Sequence, residues 1–212
     1  MADKFNYKLN NVDPSRIWFT SDTHFGHANI LKFCSRPFDN IQQHDECLID
    51  NWNSVVGKDD TVFHLGDFAF AQRSYIREII PKLNGNIHLV IGNHDFKNMG
   101  PEIFKLFKSS NQQLYISIND RAILLNHYPF LCYAGVYRRD EDLVYQLYGH
   151  VHSGPNVTMG LDLPRLKNLF ETTQYDVGVD NNNYAPVNFE TIDNILKQKQ
   201  EEYKWLEKHL ID

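Results

Sequence analysis

Five short stretches gather the side chains best suited to metal chemistry. Ser21-Asp22-Thr23-His24 sets a carboxylate and an imidazole one residue apart, and both can turn inward only where a strand gives way to a loop. Gly66-Asp67 follows, the glycine permitting close backbone approach beside the carboxylate. Then come Gly92-Asn93-His94-Asp95, Asn126-His127-Tyr128-Pro129 and Gly149-His150-Val151-His152. Any one of these is ordinary turn or helix-cap chemistry. Together, and leaving His94 aside, they supply Asp22, Asp67, His24, His127, His150, His152 and Asn93. Hard oxygens mixed with imidazoles suit Mn²⁺, Fe or Zn²⁺ rather than Ca²⁺ or Cu(I). Seven ligands exceed what one ion with an open position can use, but they suit two ions about 3.5–4 Å apart that share a bridging carboxylate.

The elements that must carry these motifs are short apolar runs. Strands are predicted at Ile17 to Thr20, Val62 to Leu65, Ile87 to Ile91, Leu114 to Ile118, Ala122 to Leu125, Val144 to Tyr148 and Tyr175 to Val179. Helical spacing of apolar residues is found over Ile41 to Val56, Ser74 to Leu83 and Phe189 to Leu210. Strands and helices alternate in the first half, and a strand-rich second half has Asn119-Asp120 as a hairpin turn, so an α/β sandwich is expected. Chemistry in such folds gathers in the loops that leave strand ends, where these motifs fall.

With 212 residues, 42% of them hydrophobic, and no linker-like run, a single domain over residues 1–212 is expected. A net charge of −6 and a pI near 5.9 lack the electrostatic footprint of a protein that grips long nucleic acid. Cys34, Cys47 and Cys132 are isolated, which suggests neither a disulfide framework nor a thiolate zinc site and fits a reducing cytoplasm. The N-terminal stretch has no apolar run like a signal peptide, and no segment is long enough in apolar residues to span a bilayer.

The order DxH, GD, GNH[DE], H, GHxH, present from Asp22 to His152, resembles the calcineurin-like metallophosphoesterase superfamily, in its small bacterial and phage-type form. The resemblance implies a four-layer α/β/β/α sandwich with mixed sheets and two divalent ions, Mn²⁺ first with Fe or Zn²⁺ as alternatives. It makes Asp22, His24 and His152 ligands of one ion, Asn93, His127 and His150 ligands of the other, and Asp67 the bridge. His94 resembles the family's non-ligand histidine, which contacts the phosphoryl oxygen or protonates the leaving group, with Asp95 as the residue that orients it. The implied reaction is in-line attack on phosphorus by a metal-bound hydroxide.

Around this set, His27 and Asn29 are near enough in sequence to contact substrate, and Arg36 could clamp a phosphate or lie on the surface before Pro37. The segment from Tyr128 to Arg139 offers Tyr128, Phe130, Tyr133, Tyr137, Arg138 and Arg139 for stacking a base and meeting phosphate, with core packing as the competing explanation. The stretch from Asp176 to Asp180 resembles the closing strand of small family members, with Asp180 either bordering the pocket or in a plain turn. His88 is expected to face away from the cage, and His44 and His209 to be surface groups on helices. Asp67 is followed by Phe68-Ala69-Phe70-Ala71-Gln72, without the Asp and Arg of the GDxxDRG motif of protein phosphatases. A small phosphodiester or nucleotide-like substrate is therefore expected. A nuclease acting on short nucleic acid and a catalytically silent metal-binding scaffold are the alternatives.

Overall fold

The structure is a computed structural model and describes residues 5–136, 143–152 and 172–209, with side chains of the last helix to residue 204. Ten strands form two mixed sheets among the described residues. In the first, β2 (Ile17–Thr20), β3 (Thr61–His64), β4 (Asn86–Val90) and β5 (Ser109–Asn111) run parallel, and β10 (Val187–Asn188) pairs antiparallel to β2. In the second, the order is β1 (Tyr7–Leu9), β6 (Gln113–Ile118), β7 (Arg121–Asn126), β8 (Tyr145–Tyr148) and β9 (Gln174–Asp176); only β6 and β7 are antiparallel.

Period-two alternation explains the stacking. Phe19, Phe63, Leu65 and Val90 point from the first sheet into one core with Leu114, Ile116, Ile123, Leu125 and Leu147 of the second. Trp18, Val62, Ile87 and Leu89 point the other way, onto the helical layer. There α2 (Ile41–Val55) buries Leu48 and Trp52, and α3 (Arg73–Ile79) buries Ile76 and Ile79. Short helices α1 (Ile30–Phe33), α4 (Asp95–Asn98) and α5 (Pro101–Phe104) lie between strands. Helix α6 (Phe189–His209) sets Phe189, Ile192 and Leu196 into the inter-sheet core. The result is the expected α/β/β/α sandwich with mixed sheets. No helix among the described residues is long and apolar enough to cross a membrane.

Every predicted strand and helix forms, with ends shifted by a few residues. The Asn119-Asp120 turn joins β6 to β7 with positive φ at both residues (43° and 70°), the conformation a two-residue hairpin loop needs. The strand expected to run to Val179 stops at Asp176, because the Asp176 carboxylate accepts the N–H of Gly178 and the chain turns into a short 3₁₀ helix at Val179–Asn181. Strands β1, β5 and β10 were not predicted; each has two or three residues, too few for a periodic signal.

Candidate metal centre

The ligand motifs leave the C-terminal ends of adjacent strands, and their loops are laced together. The N–H groups of Asp22 and His24 donate to the carbonyls of Gly66 and Asp67, which continues the β2–β3 pairing beyond the sheet. Gly149 N–H donates to His127 O, and Val179 N–H to Ser21 O. Asp22, His24, Asp67, His150 and His152 all have positive φ, between 47° and 71°. Such backbone is unfavourable for non-glycine residues and persists only where the surroundings impose it, which is common at functional sites. Two glycines make the close approach feasible. A Cβ at Gly92 would stand 2.3 Å from Asp67 Oδ1, and one at Gly149 would stand 2.0 Å from Ser21 Oγ and 2.3 Å from Asp22 Oδ2.

Two ligand groups result. Asp22, His24 and His152 offer donor atoms within 4.8 Å of one another, as do Asp67, His127 and His150. Asp67 Oδ2 lies between them, 3.6 Å from His24 Nε2 and 3.5 Å from His127 Nε2. These separations are long for hydrogen bonds and close to those of two ligands about 2.1 Å from a shared ion. Asn93 Oδ1 sits 3.0 Å from His127 Nε2, completing the second group. Asp22 Oδ1 and His24 Nε2 are buried with no hydrogen-bond partner, an arrangement that native structures rarely leave without an ion or water. The donor set and its orphaned atoms therefore fit divalent ions.

The electrostatics agree. Burial pushes the His127 imidazole down, but the nearby Asp67 carboxylate and the charge of Asp22 outweigh this and bring it to about 9. Burial likewise opposes protonation of His152, yet Asp180 and Asp22 raise it to about 11. Asp67 is pushed up by burial and held below its ordinary value by His127 and His94. Carboxylates here draw positive charge to themselves, and protons on imidazoles supply it. His24, deeply buried and beside Arg36, is held well below its ordinary value.

His94 lies at the mouth. Its N–H donates to Asp67 Oδ1 (2.8 Å), its Nε2 is 3.9 Å from Asp67 Oδ2, and its side chain is 31% exposed. Asp95 does not orient the His94 ring as expected. Its two oxygens accept the N–H groups of Asp67, Phe68 and Gly92 at 2.8–2.9 Å, so it ties the second and third ligand turns together. Burial raises this carboxyl to about 7.

Three further expectations resolve differently. Arg36 is neither a phosphate clamp nor a surface group: it is buried, and its guanidinium bonds Asp180, Asp22 O, Thr23 O and His44. His44 is fully buried rather than on the surface, because α2 turns it toward Arg36 and Asp45. Asn29 is exposed at the start of α1 with no capping bond from its side chain, whereas His27 is brought in, its Nδ1 3.1 Å from His24 Nδ1 and its ring stacked on Phe70. His88, half-buried, packs between Tyr7 and Phe63. Phe130 and Tyr133 pack with Leu124 and Val144, while Tyr128 is exposed beside His127 and His150. Tyr137, Arg138, Arg139 and the His209 side chain lie outside the described residues.

Sequence reasoning missed His64. It is buried, and its ring bridges Thr23 Oγ1 and the N–H of Gly66. Thr23 Oγ1 donates to Phe68 O, so His64 must carry its proton on Nε2; burial holds it neutral, its value lowered to about 3. A polar residue inside an apolar run next to Gly66-Asp67 was the available signal.

Comparison with known proteins identifies the family. The protein MJ1445 of Methanocaldococcus jannaschii, itself uncharacterized, is 31% identical over 185 residues, covering 86% of this chain and 92% of that protein. The Gene 66 protein of Mycobacterium phage L5 is 31% identical over 166 residues, 66% of this chain and 78% of that protein. The crystal structure of AQ665 from Aquifex aeolicus, a protein of unknown function, superimposes with a TM-score of 0.62 at 26% identity, covering 84% of this chain and 97% of that one. Residues 15–209 match the model of the calcineurin-like phosphoesterases, and the chain belongs to that family of phosphoester hydrolases.

Proposed function

We propose that the chain is a dinuclear metal-dependent phosphodiesterase acting on small, nucleotide-like diesters, with Mn²⁺ as the preferred ion. The observation that carries this reading is the pair of ligand groups, Asp22, His24, His152 and Asp67, His127, His150, that face each other across the Asp67 carboxylate. Bound divalent ions supply Lewis acidity, lowering the pKa of water and offsetting charge on phosphoryl oxygens. The chain's own residues do the rest. Asp67, kept ionised by its neighbours, holds the two groups in register, and Asp95 fixes the turns on either side of it. His94, partly open at the mouth, contacts a phosphoryl oxygen and hands a proton to the leaving oxygen.

The preference for a nucleotide-like diester rests on what surrounds the centre. Phe70 stacks on His27 and meets His94 edge-on at 5.2 Å, Phe33 stands beside His27, and Tyr128 covers His127 and His150. Phe33, Phe70 and Tyr128 are all exposed, leaving flat apolar faces next to a polar centre, a surface on which a base stacks favourably. Arg36 is turned inward and paired, so its fork does not serve the second negative charge of a monoester.

The test is a panel on Mn²⁺-reconstituted protein. Cyclic nucleotides, the p-nitrophenyl ester of thymidine 5′-phosphate, bis-p-nitrophenyl phosphate, p-nitrophenyl phosphate and short oligonucleotides would be compared. Nucleotide diesters should give the highest kcat/KM. Inactivity on every phosphoester with both ions bound would sink the reading, and a monoester preference would remove the diester assignment.

A further inference from the structure

Behind the group of Asp22, His24 and His152 runs a buried chain of polar side chains bonded to one another. His152 Nδ1 lies 2.9 Å from Asp180 Oδ2. Both oxygens of Asp180 receive the Arg36 fork, Nε at 2.8 Å and one terminal nitrogen at 2.9 Å. That same nitrogen donates to Asp22 O at 2.7 Å, while the other donates to Thr23 O and to His44 Nε2. Since arginine only donates, His44 Nε2 accepts, so its proton sits on Nδ1 and goes to Asp45 Oδ1 at 2.7 Å. Asp45 Oδ2 then accepts Gly26 N–H and the Tyr75 hydroxyl. The side chains of Arg36 and Asp180 are 0% and 1% exposed. All five Arg36 N–H groups are engaged, and three of its bonds hold the backbone or neighbours of the first ligand loop.

Resting on the two-metal reading above, we infer that Arg36 is a positioning residue for one ion only, the one held by Asp22, His24 and His152. Two effects combine. The guanidinium clamps the Asp22 and Thr23 carbonyls, which sets the left-handed backbone that turns Asp22 and His24 inward. It also holds the Asp180 carboxylate in place to accept the His152 Nδ1–H, which reserves Nε2, 3.9 Å from Asp22 Oδ1, for the ion. A carboxylate behind a ligating histidine fixes its tautomer and raises its basicity. His127 in the other group leans instead on a neutral backbone carbonyl, Leu65 O at 2.8 Å, and receives nothing from Arg36. Ser35, just before Arg36, has a positive φ of 50°, so the chain accepts an unfavourable conformation to aim this side chain inward.

Cys34, His152 and Asp180 also offer three donors within 4.8 Å, a geometry that could hold another cation. With Arg36 on both Asp180 oxygens, the positive charge there is already supplied, and this cluster is part of the support rather than a third metal position.

The test measures ions rather than turnover. Wild type, Arg36→Gln, Arg36→Lys and Asp180→Asn, each checked for folding by circular dichroism, are titrated with Mn²⁺ and read by mass-spectrometric metal content and by the paramagnetic resonance of the bound ions. Wild type should hold two spin-coupled Mn²⁺ ions per chain. Arg36→Gln should keep one ion at wild-type affinity and bind the second about 10- to 100-fold more weakly, with the coupled signal replaced by that of isolated Mn²⁺. Arg36→Lys, which keeps the charge but not the fork, should fall between. If Arg36→Gln does not fold, Asp180→Asn carries the same expectation. Two ions at wild-type affinity in the folded variant, equal weakening of both, tighter binding once the positive charge is removed, or three ions in wild type would each overturn the inference. A wild type that binds one ion would instead overturn the two-metal reading, and Arg36 would then be judged on whether that single affinity falls.

Discussion

The two ligand groups sit on opposite sides of one carboxylate and are built by different means. The Asp67, His127, His150 group is supported by backbone: His127 leans on Leu65 O, and Asp95 holds the turn around Asp67 through the N–H groups of Asp67 and Phe68 and ties it to Gly92 N–H. The Asp22, His24, His152 group is supported by charge, through a buried ion pair between Arg36 and Asp180 that are 144 residues apart. Strand ends are rigid, so the Asp67, His127, His150 group is in place once β3 pairs with β4 in one sheet, β7 with β8 in the other, and the sheets stack. The second is finished only when the segment after β9 closes over the first loop. A buried pair that loses one partner strands a charge, so this side is the more sensitive to single substitutions.

The sharpest way to break the comparison is at the shared residue. Asp67→Ala should remove both ions and lower kcat/KM by about 10³-fold or more, because metal activation accounts for several kcal/mol of the barrier and each 1.36 kcal/mol is tenfold. Full metal content in this variant would refute the bridge. Next, His94→Ala should leave both groups loaded while kcat drops by about 10²- to 10⁴-fold, most for substrates with poor leaving groups. An equal loss across leaving groups would leave His94 with electrostatic contact alone.

Gly149→Ala sharpens the asymmetry. Its Cβ would collide with Ser21 Oγ and Asp22 Oδ2, so the Arg36-backed ion should be lost first, with destabilisation of about 1–3 kcal/mol in thermal melts. Selective loss of the other ion would reverse the assignment. The smallest effect lies at the far end of the same strands. Burial pushes the Asp60 carboxyl up, but hydrogen bonds from Gly57 N–H, Arg16 and Trp18 hold it below its ordinary 3.8. Its stabilisation is thus present above that value and is lost as pH falls through the lowered folded value. Asp60→Asn should cost about 1–2 kcal/mol at neutral pH, flatten this acid limb and leave metal content unchanged. A change in metal content would show that the strand ends are coupled to the centre.

Much of the site was legible in the chain because its motifs are local. A ligand set at strand ends needs only a short apolar run followed by Asp, His or Asn, and both are visible in a few residues. The roles of Asp95 and Arg36 were not legible for the opposite reason. Asp95 stands next to His94, yet its oxygens face backbone N–H groups of a loop 27 and 28 residues earlier. Arg36 reads equally well as a phosphate clamp or a surface residue until Asp180 and His44 appear beside it. His44 stands one and two turns before Leu48 and Trp52 on the buried face of α2, a periodic signal that its polar side chain and polar neighbours masked.

From sequence alone, the order of the longer strands and helices and the identity of the candidate metal-ligating side chains could be read, because hydrophobic period and residue type are properties of neighbours in the chain. Tertiary structure decided which side chains support the candidate ligands, that every Arg36 N–H is engaged, and that one ligand group is backed by charge while the other is backed by backbone. Those outcomes depend on bonds between groups distant in the chain, 62 residues for His127 and Leu65 and 144 for Arg36 and Asp180, whose strength comes from burial and a geometry that exists only after the sheets have closed.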